Sequence, residues 1–156
     1  MARGGKMDLE ANRKGPFAKV VFLCYGNACR SIMAEALARH FLGNLIEAGS
    51  AGLVPLGYIP SLTLEALSEA GISAGGLYSK GLADMRLDDV DYLINLTGYP
   101  VDPQILSSFS GKLISIYVRD PFGGDIETYR GVRKELELLV KNKLPELIAL
   151  KKDARG

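Results

Sequence analysis

The chain has few of the residues from which metal sites and disulfide frameworks are built. Its 156 residues include two cysteines, one histidine and no tryptophan. Zinc sites use three or four ligands, and the two cysteines with the lone His40 do not make up such a set. Two cysteines also fit reduced thiols better than a disulfide framework. We therefore expect no metal and no cofactor, and a reducing compartment, the cytoplasm.

Neither a long apolar run nor an excess of charge is present. No stretch reaches the length of apolar sequence that spans a bilayer. Lysine plus arginine number 19 and aspartate plus glutamate number 18, which gives a net charge of +1. No basic block dominates any predicted element. We therefore expect neither a membrane nor a nucleic acid as the main partner.

What the sequence does contain is enough apolar residues for one core. Hydrophobic residues make up 47% of the chain, and over this length they support a single domain, which we assign to residues 17–156. Residues 1–16 mix charges of both signs and contain no apolar run, so they read as neither a signal peptide nor an anchor. We expect them to form a flexible N-terminal extension.

One stretch in the first third of the chain predicts a binding site. The apolar run over residues 20–23 predicts a buried strand, and the residues from Arg30 onward predict a helix. Between them, Gly26 and Asn27 tolerate the unusual dihedrals of a loop whose N–H groups point inward. The helix start adds free N–H groups and the positive end of its dipole. We therefore predict an oxyanion-binding loop made of Tyr25, Gly26, Asn27, Ala28, Cys29, Arg30 and Ser31.

Cys24 and Arg30 lie at the two ends of this loop, and we predict a different chemical role for each. Inward N–H groups and a nearby cation stabilise a thiolate, which makes Cys24 a candidate nucleophile. The guanidinium of Arg30 can bind two oxygens of a tetrahedral anion while the thiolate attacks the central atom in line. The Ser31 hydroxyl can donate to the sulfur and make Cys24 a better leaving group. The spacing therefore predicts covalent catalysis on a tetrahedral oxyanion.

The residues of this loop also carry a family resemblance. The run Cys-Tyr-Gly-Asn-Ala-Cys-Arg-Ser over residues 24–31, followed by Met-Ala-Glu-Ala over residues 33–36, resembles the active-site signature of the low-molecular-weight protein tyrosine phosphatases. Thioredoxin-coupled arsenate reductases share that loop and fold. One departure is Ile32, which stands where the family usually has a proline that opens the helix. This departure removes no catalytic group.

The order of the predicted elements indicates one α/β domain. Apolar and β-branched runs predict strands at residues 18–23, 45–48, 89–97 and 112–118. Helical spacing with capping and stop residues predicts helices at 31–42, 61–70, 102–109 and 126–149, the last with a break at Pro145. This alternation indicates a three-layer domain, with a four-stranded parallel sheet, helices on both faces and the phosphate-binding loop after the first strand.

A second chemical element follows the last predicted strand. Asp120 begins an Asp-Pro-Phe-Gly-Gly run, at the sheet edge where the first strand delivers Cys24. Its carboxyl can protonate a leaving atom while the thiolate attacks, and can then activate water against a phospho-cysteine. The run resembles the general-acid loop of the same phosphatases, although taken alone it also fits an ordinary turn. Asp102 and Asp125 are instead predicted to cap helices.

Further roles are expected around the loop. The resemblance implies that Ser50, in a Ser-Ala-Gly run, hydrogen-bonds Asn27 and holds the shape of the loop; an ordinary turn serine is the alternative. It also implies that Cys29 can form a reversible disulfide with the nucleophile. Tyr25 and Phe122 could flank an aromatic ring at the mouth of the pocket. These four residues complete the predicted site.

Other polar residues near the loop are expected to take no part in the chemistry. Leu77 stands where the family has a histidine, and this removes a buried polar support near the loop. Glu35 and Arg39, one helical turn apart, predict an exposed ion pair of little energetic weight. His40 lies near the end of the first predicted helix and is expected to be structural.

The resemblance implies hydrolysis of a phosphomonoester through a cysteinyl-phosphate intermediate. Cys24 would be the nucleophile, Arg30 would bind the phosphate, and Asp120 would be the general acid and base. A protein that carries phosphotyrosine would be the substrate, and inorganic phosphate or a similar oxyanion would also bind in the loop.

Three alternatives stay open at this point. An arsenate reductase would use the same loop, but no cysteine follows Cys29, so it would need an external thiol. A phosphoarginine phosphatase is the second. Ala28 is small where phosphotyrosine-specific relatives tend to carry a bulkier aliphatic residue, and relatives acting on phosphoarginine differ at the same place, so this position leaves the specificity open. An inactive module that binds phospho-ligands is the third, and the intact set of Cys24, Arg30 and Asp120 argues against it.

Overall fold

The computed structural model describes residues 16–148. The expected flexible extension over residues 1–16 lies, except for its last residue, outside the described residues. No helix in the described part of the chain is long and apolar enough to cross a membrane.

A four-stranded parallel sheet forms the centre of the molecule, as the sequence predicts. The strands are β1 (Ala18–Cys24), β2 (Ile46–Gly52), β3 (Tyr92–Asn95) and β4 (Lys112–Ser115), in the spatial order β2-β1-β3-β4. All three neighbouring pairs are parallel. The inner strand β1 is buried from Val20 to Cys24, because a strand in the middle of a parallel sheet is covered on both faces. All four strands therefore end at one edge.

Strand β2 is longer than predicted, since it continues to Gly52 where the sequence predicts a turn after Ala48. The pairing with β1 explains the difference, because it runs on from Val21 opposite Gly49 to Cys24 opposite Gly52. A Cβ atom on Gly52 would lie 2.7 Å from the backbone nitrogen of Asn27. Glycine here lets the strand approach the loop that follows β1.

Three helices pack on one face of the sheet, namely α1 (Arg30–Leu42), α2 (Ser61–Glu69) and α3 (Ile126–Leu138). Their buried side chains form one core cluster with Val20 and Phe22 of β1. The other face is covered by a single-turn 3-10 helix (Leu82–Asp84) and by the segments before and after β3, whose Leu87, Val90 and Val101 form a second core cluster with Val21 and Leu23. The three-layer arrangement is confirmed. The two cores place β1 at the centre, so its carboxyl end is held from both sides.

The helix predicted over residues 102–109 is wrong, because this segment forms successive turns. Its backbone hydrogen bonds join residues three apart, as in Ile105 N–H to Asp102 O at 3.0 Å and Leu106 N–H to Pro103 O at 3.1 Å. The Asp102 carboxylate accepts from the N–H of Gln104 at 2.9 Å. An aspartate that bonds the backbone two residues on favours a turn over an α-helix.

The final helical region is divided into three parts. Asp125 caps α3 by accepting from the N–H of Thr128 at 3.0 Å, as predicted. A π-helical turn (Leu139–Lys143) and a short helix α4 (Leu144–Leu147) follow α3. Pro145 lacks the N–H that a regular ladder needs at that point, and the wider turn before it keeps Val140 and Leu144 buried.

Candidate active site

Segments that follow three of the strands meet at the carboxyl edge of the sheet. Cys24 ends β1, and the phosphate-binding loop (residues 24–31) leads from it into α1. Strand β3 is followed by Leu96, and β4 is followed by the segment that contains Val118 and Asp120. This edge is where ligands bind in parallel α/β sheets.

The carbonyl groups of the phosphate-binding loop point away from its centre. Those of Cys24, Tyr25 and Gly26 accept N–H groups of the 53–56 segment at 2.8 to 3.1 Å. The carbonyl of Ala28 accepts the Thr63 hydroxyl at 3.0 Å. In a trans peptide the N–H points opposite to the C=O, so the N–H groups that follow these carbonyls face the centre. The loop is a concave site for an anion.

Asn27 takes the left-handed backbone conformation that this loop shape requires. Its φ is +47°, the single positive φ at a non-glycine position in the described chain. Asparagine adopts this conformation more readily than most residues. The side-chain amide donates to the Ser31 hydroxyl at 2.7 Å and to the Ser50 hydroxyl at 3.0 Å, and both serines are fully buried. Asn27 therefore joins the loop to α1 and to β2.

The Cys24 thiol lies at the base of the loop and contacts one hydroxyl. Its Sγ atom is 2.9 Å from Ser31 Oγ. Because that oxygen already accepts from Asn27, its hydrogen is free to point at the sulfur. A hydroxyl that donates to sulfur stabilises a thiolate, both as nucleophile and as leaving group.

Arg30 is buried at the start of α1 and spans the pocket. Its Nη1 donates to the carbonyl of Val118 at 2.9 Å and to that of Leu96 at 3.3 Å. Its Nη2 lies 3.5 Å from Oδ2 of Asp120. Its Nε is buried and has no hydrogen-bond partner in residues 16–148. A buried donor without a partner needs an explanation, and a tetrahedral oxyanion in the loop would supply the acceptor.

Asp120 faces the same pocket but remains open to water. Its side chain is 49% exposed, against 5% for Arg30. The carboxylate accepts from the N–H of Phe122 at 3.1 Å, which fixes its position at the start of the turn. A carboxyl with this access can exchange protons with a leaving group and with water.

A single cavity of about 290 Å³ brings the predicted catalytic residues together. Cys24, Arg30 and Asp120 all line it. The rest of its wall is mainly apolar, with the predicted rim residues and part of the 53–56 segment: Tyr25, Val54, Pro55, Leu56 and Phe122. Tyr25 and Phe122 are about half exposed. The cavity therefore combines an anion site at its base with an apolar mouth.

The prediction of an exposed ion pair between Glu35 and Arg39 is wrong, because Glu35 is buried. It is 4% exposed because α1 packs against β2. One carboxylate oxygen accepts from the Ser50 hydroxyl at 2.5 Å and the other pairs with Arg39 at 2.9 Å. Lys80 Nζ lies 3.8 Å from it. The sequence does contain one indication that Glu35 is buried, because its neighbours in the helix are apolar residues and alanines.

Ser79 and Lys80, for which the sequence predicts no role in the site, both contact the phosphate-binding loop. The Ser79 hydroxyl donates to the Gly26 carbonyl at 3.0 Å and accepts from the Gly57 N–H at 3.0 Å. Lys80 donates its backbone N–H to Asn27 Oδ1 at 2.8 Å, and its Nζ lies 3.4 Å from the same oxygen. The resemblance at Leu77 places this segment near the loop, but the individual contacts to residues 26 and 27 depend on the tertiary fold.

Cys29 is the second buried thiol of the loop, and its sulfur contacts Tyr129 of α3. Its thiol donates to the Tyr129 hydroxyl across 3.6 Å. Burial raises the pKa of Cys29, and hydrogen bonds from Thr63 and Tyr129 oppose this only in part. Burial likewise raises the pKa of Tyr129. Both cysteines are free thiols, and the described residues contain no cluster of three or more possible metal ligands.

Comparison with known proteins agrees with this geometry. A family model described as low molecular weight phosphotyrosine protein phosphatase matches residues 19–155. A protein-arginine-phosphatase of Bacillus subtilis is 32% identical over 87% of this chain and 99% of its own. The low molecular weight protein-tyrosine-phosphatase YfkJ of the same organism is 33% identical over 83% of this chain and 93% of its own.

A solved structure extends the comparison to a reductase. An arsenate reductase in the phosphate binding state superposes with a TM-score of 0.73 at 29% identity, covering 83% of this chain and 98% of that one. The family model spans most of this chain, and the sequence motif, the fold and the pocket agree with it. The chain therefore belongs to the low molecular weight phosphotyrosine protein phosphatase family.

Proposed function

We propose that this protein hydrolyses phosphotyrosine in protein substrates through a phosphoryl group carried on Cys24. The observation that carries the proposal is the one cavity in which Cys24, Arg30 and Asp120 meet. In that cavity the thiol, the unpaired Nε of Arg30 and the half-exposed carboxyl can all reach one tetrahedral group.

In the first step the Cys24 thiolate attacks phosphorus in line with the leaving oxygen. Nε and Nη2 of Arg30 bind two equatorial oxygens, since Nη1 is held by two backbone carbonyls. Protonated Asp120 gives its proton to the leaving oxygen as the P–O bond breaks and the S–P bond forms. A tyrosine hydroxyl leaves, and the phosphoryl group stays on the sulfur.

In the second step water replaces the sulfur. The Asp120 carboxylate takes a proton from a water molecule as the oxygen of that water attacks phosphorus. The S–P bond breaks and Cys24 leaves as a thiolate, which the Ser31 hydroxyl stabilises at 2.9 Å. Inorganic phosphate is released, and Asp120 is again protonated for the next turnover.

The apolar mouth of the cavity supports an aromatic phosphoester as substrate. Tyr25 and Phe122 present half-exposed rings at the rim, where they can stack on the phenyl ring of phosphotyrosine. Val54, Pro55 and Leu56 add apolar wall. A phosphoserine side chain is too short to bring an apolar group against this wall.

Two other substrates are supported by relatives. A phosphoarginine guanidinium could also stack on the rim rings, and a relative at 32% identity is named a protein-arginine-phosphatase. However, the methyl group of Ala28 in the cavity wall offers no hydrogen-bonding group to a guanidinium. Arsenate would fit the same anion site, and a similar structure is named an arsenate reductase. Since no cysteine follows Cys29, a reductase of this sequence would need an external thiol.

The test compares three substrates on the wild type and on Cys24→Ser. We expect Cys24-dependent release of phosphate from p-nitrophenyl phosphate and from a phosphotyrosine peptide. Hydrolysis of a phosphoarginine peptide should be at least about tenfold slower in kcat/KM, a difference of about 1.4 kcal/mol in transition-state binding. The reverse preference would make the protein an arginine phosphatase. Thiol oxidation that depends on arsenate, without phosphatase activity, would make it a reductase.

We also infer that the protein works in the cytoplasm. A nucleophilic thiol must stay reduced, and a reducing compartment provides this. The two free cysteines support the inference.

A further inference from the structure

We propose that Lys80 is a positioning residue, whose ammonium group holds Asn27, and through it the phosphate-binding loop, in the shape that binds an oxyanion. The proposal deepens the proposed function, on which it rests for the role of the loop. Lys80 is not among the residues that line the cavity around Cys24. Its hydrogen bonds to the loop go to Asn27, so it acts through Asn27.

The Lys80 ammonium is surrounded by acceptors behind the loop. Nζ lies 2.9 Å from the Tyr78 carbonyl, 3.3 Å from Ser50 Oγ and 3.4 Å from Asn27 Oδ1. It lies 3.8 Å from the buried carboxylate of Glu35. The Lys80 side chain is 19% exposed. A lysine this covered, directed at four acceptors, has a structural task that a solvated surface lysine does not have.

The hydrogen bonds run in one direction from Lys80 to the sulfur. Lys80 donates to Asn27 Oδ1, from its backbone N–H at 2.8 Å as well as from Nζ. The Asn27 amide donates to Ser31 Oγ, and the Ser31 hydroxyl is then free to donate to Cys24. Each donor orients the next group, and such chains strengthen one another.

A second branch anchors the same asparagine to the carboxylate. Asn27 and Lys80 both donate to Ser50 Oγ, so the Ser50 hydroxyl donates to Glu35 at 2.5 Å. A buried carboxylate is costly unless it is paired, and Lys80 and Arg39 supply the countercharge. The left-handed backbone of Asn27 is therefore held by a charged network and does not depend on the loop alone.

The network around Lys80 supplies the polar support that the apolar Leu77 cannot provide. The sequence predicts that Leu77 deprives the loop of a polar support. Lys80, three residues later, brings its ammonium group to Asn27 and Ser50 instead. The support is present, but it is a lysine whose charge can be lost at alkaline pH.

The protonation of Lys80 is open to test because its surroundings are known. Burial lowers the pKa of Lys80, Glu35 opposes that shift and Arg39 adds to it. The ring of Tyr78 lies under Nζ at 4.6 Å, and Asp84 lines the groove onto which Lys80 opens. Replacing Lys80 with arginine keeps a cation that does not titrate below pH 12.

The experiment measures the dissociation constant of tungstate, a tetrahedral oxyanion, by calorimetry on the full chain. The variants are Lys80→Met, Lys80→Arg and, as a matched control, Lys19→Met. Lys19 is an ion-paired lysine of β1, with Asp89 at 3.2 Å and Glu47 at 3.7 Å, and it lies at the opposite end of the strand. Working in 0.5 M sodium chloride, where the Debye length is about 4 Å, suppresses the general attraction between a lysine and an anion.

We expect Lys80→Met to weaken tungstate binding by about tenfold or more at pH 7.5, with Lys19→Met unchanged. In Lys80→Met the buried Glu35 carboxylate has lost part of its countercharge. Adding Glu35→Gln removes that carboxylate, and should recover thermal stability without recovering the affinity for tungstate. Unchanged tungstate affinity in Lys80→Met would overturn the proposal. So would full recovery of affinity in the double variant, because Lys80 would then matter only as a partner of Glu35.

The pH dependence gives the second result. As pH rises from 7.5 towards the pKa of Lys80, which burial holds below its ordinary value, the wild type should lose affinity relative to Lys80→Arg, because only the lysine loses its charge. Groups other than residue 80 titrate in both proteins, so the ratio of the two affinities reports Lys80. A ratio that stays constant through the pH range in which Lys80 itself deprotonates would contradict the proposal. Since tungstate binding needs no turnover, these results stand whether or not the wild type hydrolyses phosphotyrosine.

Discussion

The two loops that supply the chemistry are built in opposite ways. In the phosphate-binding loop, Asn27, Ser31 and Cys24 are buried and joined by hydrogen bonds. In the loop after β4, Asp120 and Phe122 are about half exposed, and the carboxylate is held by one backbone N–H and by Arg30. The first arrangement fixes where a phosphate sits. The second leaves the proposed proton donor in reach of water, so the groups proposed for binding and for proton transfer lie in separate loops.

The strongest test of that separation is the loss of the nucleophile. We expect Cys24→Ser to lower kcat for p-nitrophenyl phosphate by about 10⁴-fold or more, since a hydroxyl of ordinary acidity replaces a thiolate. Tungstate binding should persist, because Arg30 and the loop N–H groups remain. Rapid kinetics and calorimetry on the same preparation measure both. Turnover in Cys24→Ser near the wild-type rate would contradict the assignment.

Loss of the Asp120 carboxyl, the proposed general acid, should have the next largest effect on the rate. It should lower turnover without changing tungstate binding. We expect Asp120→Asn to lower kcat by about 10² to 10³-fold, the range for a general acid. The loss should grow as the leaving phenol becomes less acidic, because a poor leaving group needs the proton most. A series of aryl phosphates measures this. Asp125→Asn is the matched control, since asparagine also caps helices, and an equal loss for all phenols would remove Asp120 from the role.

Damage to the buried hydrogen-bond network behind the phosphate-binding loop should lower the stability of the folded protein. Ser50→Ala removes one hydrogen bond from the buried Asn27 amide and one from the buried Glu35 carboxylate. We expect the free energy of unfolding to fall by about 1 to 3 kcal/mol, with weaker tungstate binding. Urea unfolding measures it, and Ser68→Ala on the exposed side of α2 is the control. A stability equal to that of Ser68→Ala would show that the network carries little energy.

The smallest expected effect concerns Cys29 and pH. Its pKa is raised by burial, so the folded protein keeps this thiol protonated after an unfolded cysteine, with a pKa of about 8.5, has ionised. The stabilisation is fully present below that pH and is lost as pH rises towards the raised pKa. Between pH 8 and 9.5 the wild type should lose up to about 1 kcal/mol more stability than Cys29→Ala. Equal slopes for the two proteins would contradict this.

The sequence predicted the parts of the molecule that depend on neighbouring residues. The strand, loop and helix around Cys24 are contiguous, and apolar periodicity places the central strands. By contrast, the extent of β2 depends on its pairing with β1, and the turns after Asp102 depend on a side chain that bonds the backbone two residues on. The first lies outside what a pattern along the chain can specify. The second is local, but an aspartate bonded to the N–H two residues on occurs both at helix starts and in turns, so the pattern does not distinguish them.

The support behind the loop was the main element that sequence reasoning could not reach. Glu35, Ser50 and Lys80 come from a helix, a strand and a loop, and they meet only when α1 packs on β2. The resemblance named Ser50, and the substitution at Leu77 indicated that a support was missing. Only the folded structure indicates that Lys80 takes that place.

The most direct test of the central claim is detection of the covalent intermediate. Wild type and Asp120→Asn are quenched in acid during turnover of p-nitrophenyl phosphate, and peptides are mapped by mass spectrometry. The predicted result is one phosphoryl group on Cys24, enriched in Asp120→Asn because hydrolysis of the intermediate also needs the carboxylate. A phosphoryl group on another residue, or on none while phosphate is released, would contradict it.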